Sequence, residues 1–170
     1  MAKALFISPT YIKRKSVISG DVDPDKMVQF IETAQDIHIQ NYLGTNLYKK
    51  IQLLITTSTL DDVGNEAYKE LLVEYIKPML VWYSQAEYIP FSAYTIGNGG
   101  MFKHRSENSD TASVEEVSRL TTRANDKAIF YTNRFIEFIC DNEKDYPEYT
   151  QSNDDMSPDK EVDSFGWFLG

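Results

Sequence analysis

Two histidines, one cysteine and a glycine-rich run are the positions in this chain whose chemistry can extend beyond folding. His38 follows Asp36 by two residues, and a two-residue step on a helix points the side chains apart, so the two do not form a base with its orienting acid. His104 lies among glycine, serine and asparagine, and neither histidine falls in a His-Glu-x-x-His zinc helix or a dimetal carboxylate signature. His38 therefore reads as a structural histidine. Gly97-Asn98-Gly99-Gly100 has the composition of a phosphate cradle. It lacks the Lys-Ser or Lys-Thr that follows in a P-loop, and the strand–turn–helix setting, so it reads as a flexible turn or hinge. Glu66, Glu70, Glu74 and Glu87 read as solvent-facing charges on a helix. Cys140 follows Phe138 and Ile139 and reads as a buried structural thiol. A lone cysteine forms no internal disulfide and no metal cluster, which suits a reducing cytosol. No nucleophile, base and orienting acid assemble from adjacent positions. The expectation is a protein that is not an enzyme and has no catalytic residue, cofactor or metal.

What the chain does have is aromatic surface. Its 170 residues suit one domain with a real core. Eleven tyrosines and nine phenylalanines exceed what such a core requires, and the excess is available to partners. The net charge of −9 argues against wrapping DNA, which depends on neutralising phosphates with Lys and Arg. Lys3, Lys13, Arg14 and Lys15 face no acid before Asp21. Asp141, Glu143, Asp145, Glu148, Asp154, Asp155, Asp159, Glu161 and Asp163 crowd the other end. Such ends are either two solvated tails or complementary surfaces that steer identical subunits head to tail. No run approaches about 18 consecutive apolar residues, and the first residues are too short for the apolar part of a signal peptide, so neither a membrane span nor export by a cleaved signal is expected.

The elements that position these groups are helices. Residues 1–22 read as an arm, with a short extended stretch Ala4 to Ile7 and apolar spots at Tyr11-Ile12 and Val17-Ile18. Asp23-Pro24-Asp25 opens the first helix with a capping aspartate and proline at the first helical position. Met27, Phe30, Ile31, Ala34, Ile37 and His38 follow at three- and four-residue spacing. Gly44 stops it as a left-handed cap, and Thr45 caps a second helix carrying Leu47, Tyr48, Ile51, Leu54 and Ile55. A third helix from about Asn65 presents Tyr68, Leu71, Leu72, Tyr75, Ile76, Met79, Leu80, Tyr83 and Ala86. Pro78 should kink it, and Pro90 should end or bend it. Residues 95–111 read as a loop with Phe102 at an aromatic tip. Ser113-Val114-Glu115-Glu116 is a capping box that opens a long amphipathic helix reaching about Asn142. The fold class is all-α, a bundle of about four helices over residues 23–146. Residues 147–170 form an acidic tail of disorder-prone composition ending in Phe165, Trp167, Phe168 and Leu169. That ending is either an anchor for a partner's groove, in keeping with the residues that dominate binding hot spots, or a cover for the chain's own bundle.

Several segments carry a resemblance. Val22-Asp23-Pro24-Asp25-Lys26, the stretch Ala34 to Thr45 with Tyr42-Leu43-Gly44, Tyr75-Ile76-Lys77-Pro78-Met79-Leu80, Glu87-Tyr88-Ile89-Pro90-Phe91, Asn98-Gly99-Gly100 and Phe102-Lys103-His104 resemble a head–tail connector family of crAss-like and related tailed phages of Bacteroidales hosts. The similarity spans roughly residues 20–150. It implies a virion protein of the neck, made in the host cytoplasm and assembled as a homo-oligomeric ring, commonly of twelve copies. The ring would join the portal protein to other neck and tail proteins and continue the channel through which DNA passes, without specific binding, during packaging and ejection. The long third helix, the glycine loop and the acidic tail are absent from a minimal connector and leave open whether the ring faces the portal or the tail. For that ring the expected contacts are Leu5, Phe6, Tyr11 and Ile12 from the arm, Phe102 from the loop, and Phe165, Trp167, Phe168 and Leu169 from the tail. The alternative is a regulatory adaptor, monomeric or dimeric, that binds one partner through Trp167 and Phe168.

Overall fold

The computed structural model describes residues 3–18, 22–92, 94–97, 100–103, 112–151 and 155–162. The fold is an all-α bundle. Helix α2 (Pro24–Ala34) starts where the aspartate–proline pair requires, with the Asp23 carboxylate accepting from the Asp25 N–H at 3.0 Å. It runs through a π segment (Gln35–Ile39) into α3 (Gln40–Thr56), which is sharply bent at Gly44. Helix α4 (Glu66–Glu70), a second π segment (Leu71–Ile76) and α5 (Lys77–Ser92) form one continuous helical run through the middle of the bundle. The second π segment lies in the turn before Pro78. The Lys77 N–H there reaches back five residues to the Leu72 carbonyl, which widens the turn where a proline ring would otherwise meet the carbonyl four residues earlier. Pro90 lies inside α5, which ends two residues later.

Helix α6 (Val114–Asp141) begins at the capping box: Ser113 Oγ accepts from the Glu116 N–H at 3.2 Å, and Glu116 accepts from the Ser113 N–H at 2.8 Å. Its buried stripe is Ala124, Ala128, Thr132, Phe135 and Ile139. Tyr83 bonds Thr132 and Tyr75 stacks on Phe138 at 4.0 Å, so α5 and α6 run antiparallel. A 3-10 turn (Glu143–Asp145) and α7 (Pro147–Thr150) then fold Tyr146 and Tyr149 into the core. Cys140 is exposed, not buried as its neighbours suggested, because one residue beyond Ile139 is about 100° further round the helix.

Two other expectations change. The arm is not a free extended segment: Ser8 Oγ accepts from the Tyr11 N–H at 3.1 Å and caps α1 (Pro9–Lys15), whose last turn carries Lys13, Arg14 and Lys15. The segment expected as a loop contains an antiparallel hairpin, β1 (Tyr94–Gly97) with β2 (Gly100–Lys103). Phe102 lies within β2 opposite Thr95, not at a tip. Glycines at both strand ends with β-branched Thr95 and Ile96 before them are hairpin chemistry.

A buried amide fastens the arm. Gln35, fully buried, accepts from the Phe6 N–H at 2.8 Å through Oε1, and its Nε2 donates to the Ala4 carbonyl at 2.9 Å and to Tyr48 Oη at 3.0 Å. Tyr48 donates in turn to Asp36 at 3.1 Å, and Lys3 pairs with the same carboxylate. Burial is the main reason the Tyr48 phenol is pushed up to about 12. Gln35→Ala leaves the Phe6 N–H and the Ala4 carbonyl without this partner. Leaving such buried groups unsatisfied is expected to lower stability by at least about 2 kcal/mol, measured by urea unfolding, with faster exchange of the Phe6 amide. At the start of α6, hydrogen bonds from the Ser113 backbone and side chain hold the Glu116 carboxyl below its ordinary value of 4.5. A lowered folded-state value stabilises above the unfolded value and is lost as pH falls through the folded one. Amide exchange in the first turn of α6 should therefore rise on acidification below about pH 4.5, and Glu116→Gln should flatten that dependence.

Candidate functional site

Gly44 marks the place where the bundle opens to another segment. Its φ of 70° and ψ of 163° fall in a region that only glycine enters readily. The bend frees two main-chain groups, the carbonyl of Asn41 and the N–H of Thr45. A strap of residues 155–162 lies across them. The Thr45 N–H donates to the Met156 carbonyl and the Asp159 N–H donates to the Asn41 carbonyl, both at 2.9 Å. Pro158 packs so closely that a Cβ on Gly44 would lie 2.7 Å from its Cδ and 2.9 Å from its nitrogen. Lys160 completes the seat, pairing with Glu143 at 2.8 Å and lying 5.3 Å from the centre of the Tyr149 ring. Burial, followed by the charges of Cys140, Glu143 and Asp159, raises the Tyr149 phenol well above its usual range. Its hydroxyl is buried without a hydrogen-bond partner. The tail is thus not wholly detached, as its composition suggested. The strap leads into residues 163–170, and Phe165, Trp167, Phe168 and Leu169 lie outside the described residues.

The arm residues expected to meet neighbours do not project. Phe6 is buried beside Tyr48, with ring centres 5.3 Å apart, and Ile12 is wholly buried. Leu5 and Tyr11 are partly buried against the same core, with Lys77 over the Tyr11 ring. They hold the arm to its own subunit because α1 and the Gln35 clamp turn their side chains inward. The residues that sequence reasoning passed over are the apolar side chains left in solvent, among them Val63, Phe91, Leu120 and Phe130. Phe130 had a signal, since it falls between the three- and four-residue steps of the α6 stripe.

His38 is structural in its setting. Its Nε2 lies 2.9 Å from Glu87 Oε1 and its ring stacks on Tyr83 at 4.0 Å, while Tyr83 Oη lies 3.1 Å from Thr132 Oγ1. Glu87 is accordingly a partner of His38 rather than a free surface charge. His104 lies outside the described residues. Among the described residues no group of His, Cys, Asp and Glu has the arrangement of a metal site, and no helix is long and apolar enough to cross a membrane. What this arrangement can do is bind extended main chain at the Gly44 notch and present apolar and charged surface.

Gly44→Ala combines a forbidden backbone conformation with an overlap against Pro158. It should destabilise the protein by about 3 kcal/mol or more and release the strap. Hydrogen exchange at Thr45 and limited proteolysis at residues 155–162 read the release, and Lys160→Ala, which loses only rim contacts, should loosen the strap with a much smaller stability change.

No curated protein and no solved structure matches this chain. A family model described only as a family of unknown function, DUF6712, matches residues 39–158, from the end of the first π segment through the kink to Pro158 of the strap, and the chain belongs to that family.

Proposed function

We propose that this chain is a structural subunit of a ring at the head–tail junction of a tailed phage, an adaptor between portal and tail that continues the DNA channel. The observation that carries the reading is the helix pair bent at Gly44, because the resemblance to head–tail connectors begins there and the kink is the organising feature of the bundle. Two further features support it. Large apolar side chains, Val63, Phe130 and Val114 among them, remain exposed on a bundle whose core is already filled, which suits a subunit that completes itself against neighbours. The net charge of −9 suits a channel wall that lets DNA slide, since a wall short of cations gives phosphates nothing to hold. The ring is homo-oligomeric, commonly with twelve copies, and its terminal aromatic residues are free to contact the portal or the next neck protein.

The test is the native mass of the purified chain, alone and mixed with the portal protein encoded by the same genome. A closed oligomer, or stoichiometric assembly on the portal, is the expected result. A chain that stays monomeric or dimeric and ignores the portal would favour instead a regulatory adaptor.

A further inference from the structure

With Phe6 and Ile12 buried in the subunit's own core, contacts between copies have to come from other surface. Two patches have complementary chemistry. The first is the connection between α3 and α4, which its own hydrogen bonds hold in one shape. The Thr59 N–H donates to the Leu54 carbonyl at 3.0 Å, the Asp62 N–H to the Thr59 carbonyl at 3.1 Å, and the Asn65 side chain to the same carbonyl at 2.9 Å. Glu66 accepts from the Gly64 N–H at 2.8 Å. At the tip Val63 is 98% exposed, between the exposed carboxylates of Asp61 and Asp62. A preformed loop of this kind loses little conformational freedom when it docks.

The second patch is the outer face of α6, opposite its buried stripe. Arg119, Arg123, Lys127 and Arg134 recur there with helical spacing, and Phe130 stands among them 59% exposed. None of these four cations is ion-paired with a described carboxylate, although Asp126 and Glu137 share the outer face. Lys127 lies over the Trp82 ring at 4.1 Å and Arg134 over the Tyr75 ring at 5.6 Å, so aromatic surface hems the ridge. A phenylalanine held in water between arginines has the composition of an unfilled binding hot spot.

We propose that the acidic loop of one subunit docks on the α6 ridge of the next copy, Val63 packing on Phe130 while Asp61 and Asp62 face Arg123, Lys127 and Arg134. The proposal rests on the ring reading and names its subunit contact. The two patches differ, and within one copy they are separated along the bundle by the run from Glu66 to Trp82, roughly 24 Å at the helical rise per residue. The contact is therefore heterologous, the kind that closes a ring instead of a two-fold dimer. Opposite charges on its two sides steer the encounter and reject the inverted pairing.

The experiment trades charges across the contact and reads native mass and assembly affinity at low salt, on the chain alone or mounted on its portal. Asp62→Arg and Arg134→Asp should each weaken association about tenfold or more, and the chain carrying both should recover most of it, because every contact again pairs opposite charges. Val63→Ser and Phe130→Ser should weaken association without loss of melting temperature, since neither side chain belongs to the core. Single reversals that leave an oligomer intact, or a double variant that fails to recover, overturn the contact while leaving the ring reading standing. A wild-type chain that is monomeric both alone and with the portal overturns the ring reading and the contact together.

Discussion

The arrangement of this bundle depends on one backbone conformation, that of Gly44. Without the turn at φ 70° the helix that begins at Pro24 would run straight through Thr56, and its two halves would not pack on the same side of the central run. The turn also breaks the hydrogen-bond ladder, and the unpaired carbonyl of Asn41 and N–H of Thr45 have to be satisfied. Water would serve at an exposed site, but Gly44 and Thr45 are buried, so the chain supplies its own tail. The strap is therefore a consequence of the kink. Its side chains are largely free to differ because the two central bonds are main chain to main chain.

The same logic operates at the other end. A π segment places Gln35 on the core side, where a primary amide with no partner would be costly, and the N-terminal segment satisfies its donors and its acceptor together. Both termini are thus held to the bundle by polar contacts that exist because a helix departs from α geometry. The stability of the ends is tied to irregularities in the middle.

Much of the fold was legible in the sequence. Asp23-Pro24, the Ser113 capping box and Gly44 are local signals whose physics needs no tertiary partner, and α2, the bend and α6 lie where they indicate. Helix α1 carried the same Ser8-Pro9 signal and was read as an arm because too few apolar residues follow to mark a face. Cys140 was misplaced because neighbours in sequence are not neighbours on a helix. The strap could not be read, since its recognition uses main-chain atoms that every residue has, and the Gln35 clamp was hidden because a polar residue on an apolar face has no meaning until its partners arrive from thirty residues away. The exposed side chains Val63 and Phe130 were invisible for the converse reason. Exposure is decided by what the rest of the chain leaves uncovered.

The two π segments, Gln35–Ile39 and Leu71–Ile76, have a consequence for how this chain tolerates changes of length. Each is a helix holding one residue more than an α ladder needs, and one residue is worth about 100° of rotation. A single deletion inside either segment would heal the local hydrogen bonding while turning everything downstream by more than a quarter of a circle. After the first segment that would carry the Gly44 notch away from the strap, and after the second it would move Tyr83 away from His38 and Thr132. A one-residue deletion at either place would thus improve the helix and spoil the bundle, so the surplus residue in each is a phase marker that keeps two stretches of helix in angular register with the rest of the fold.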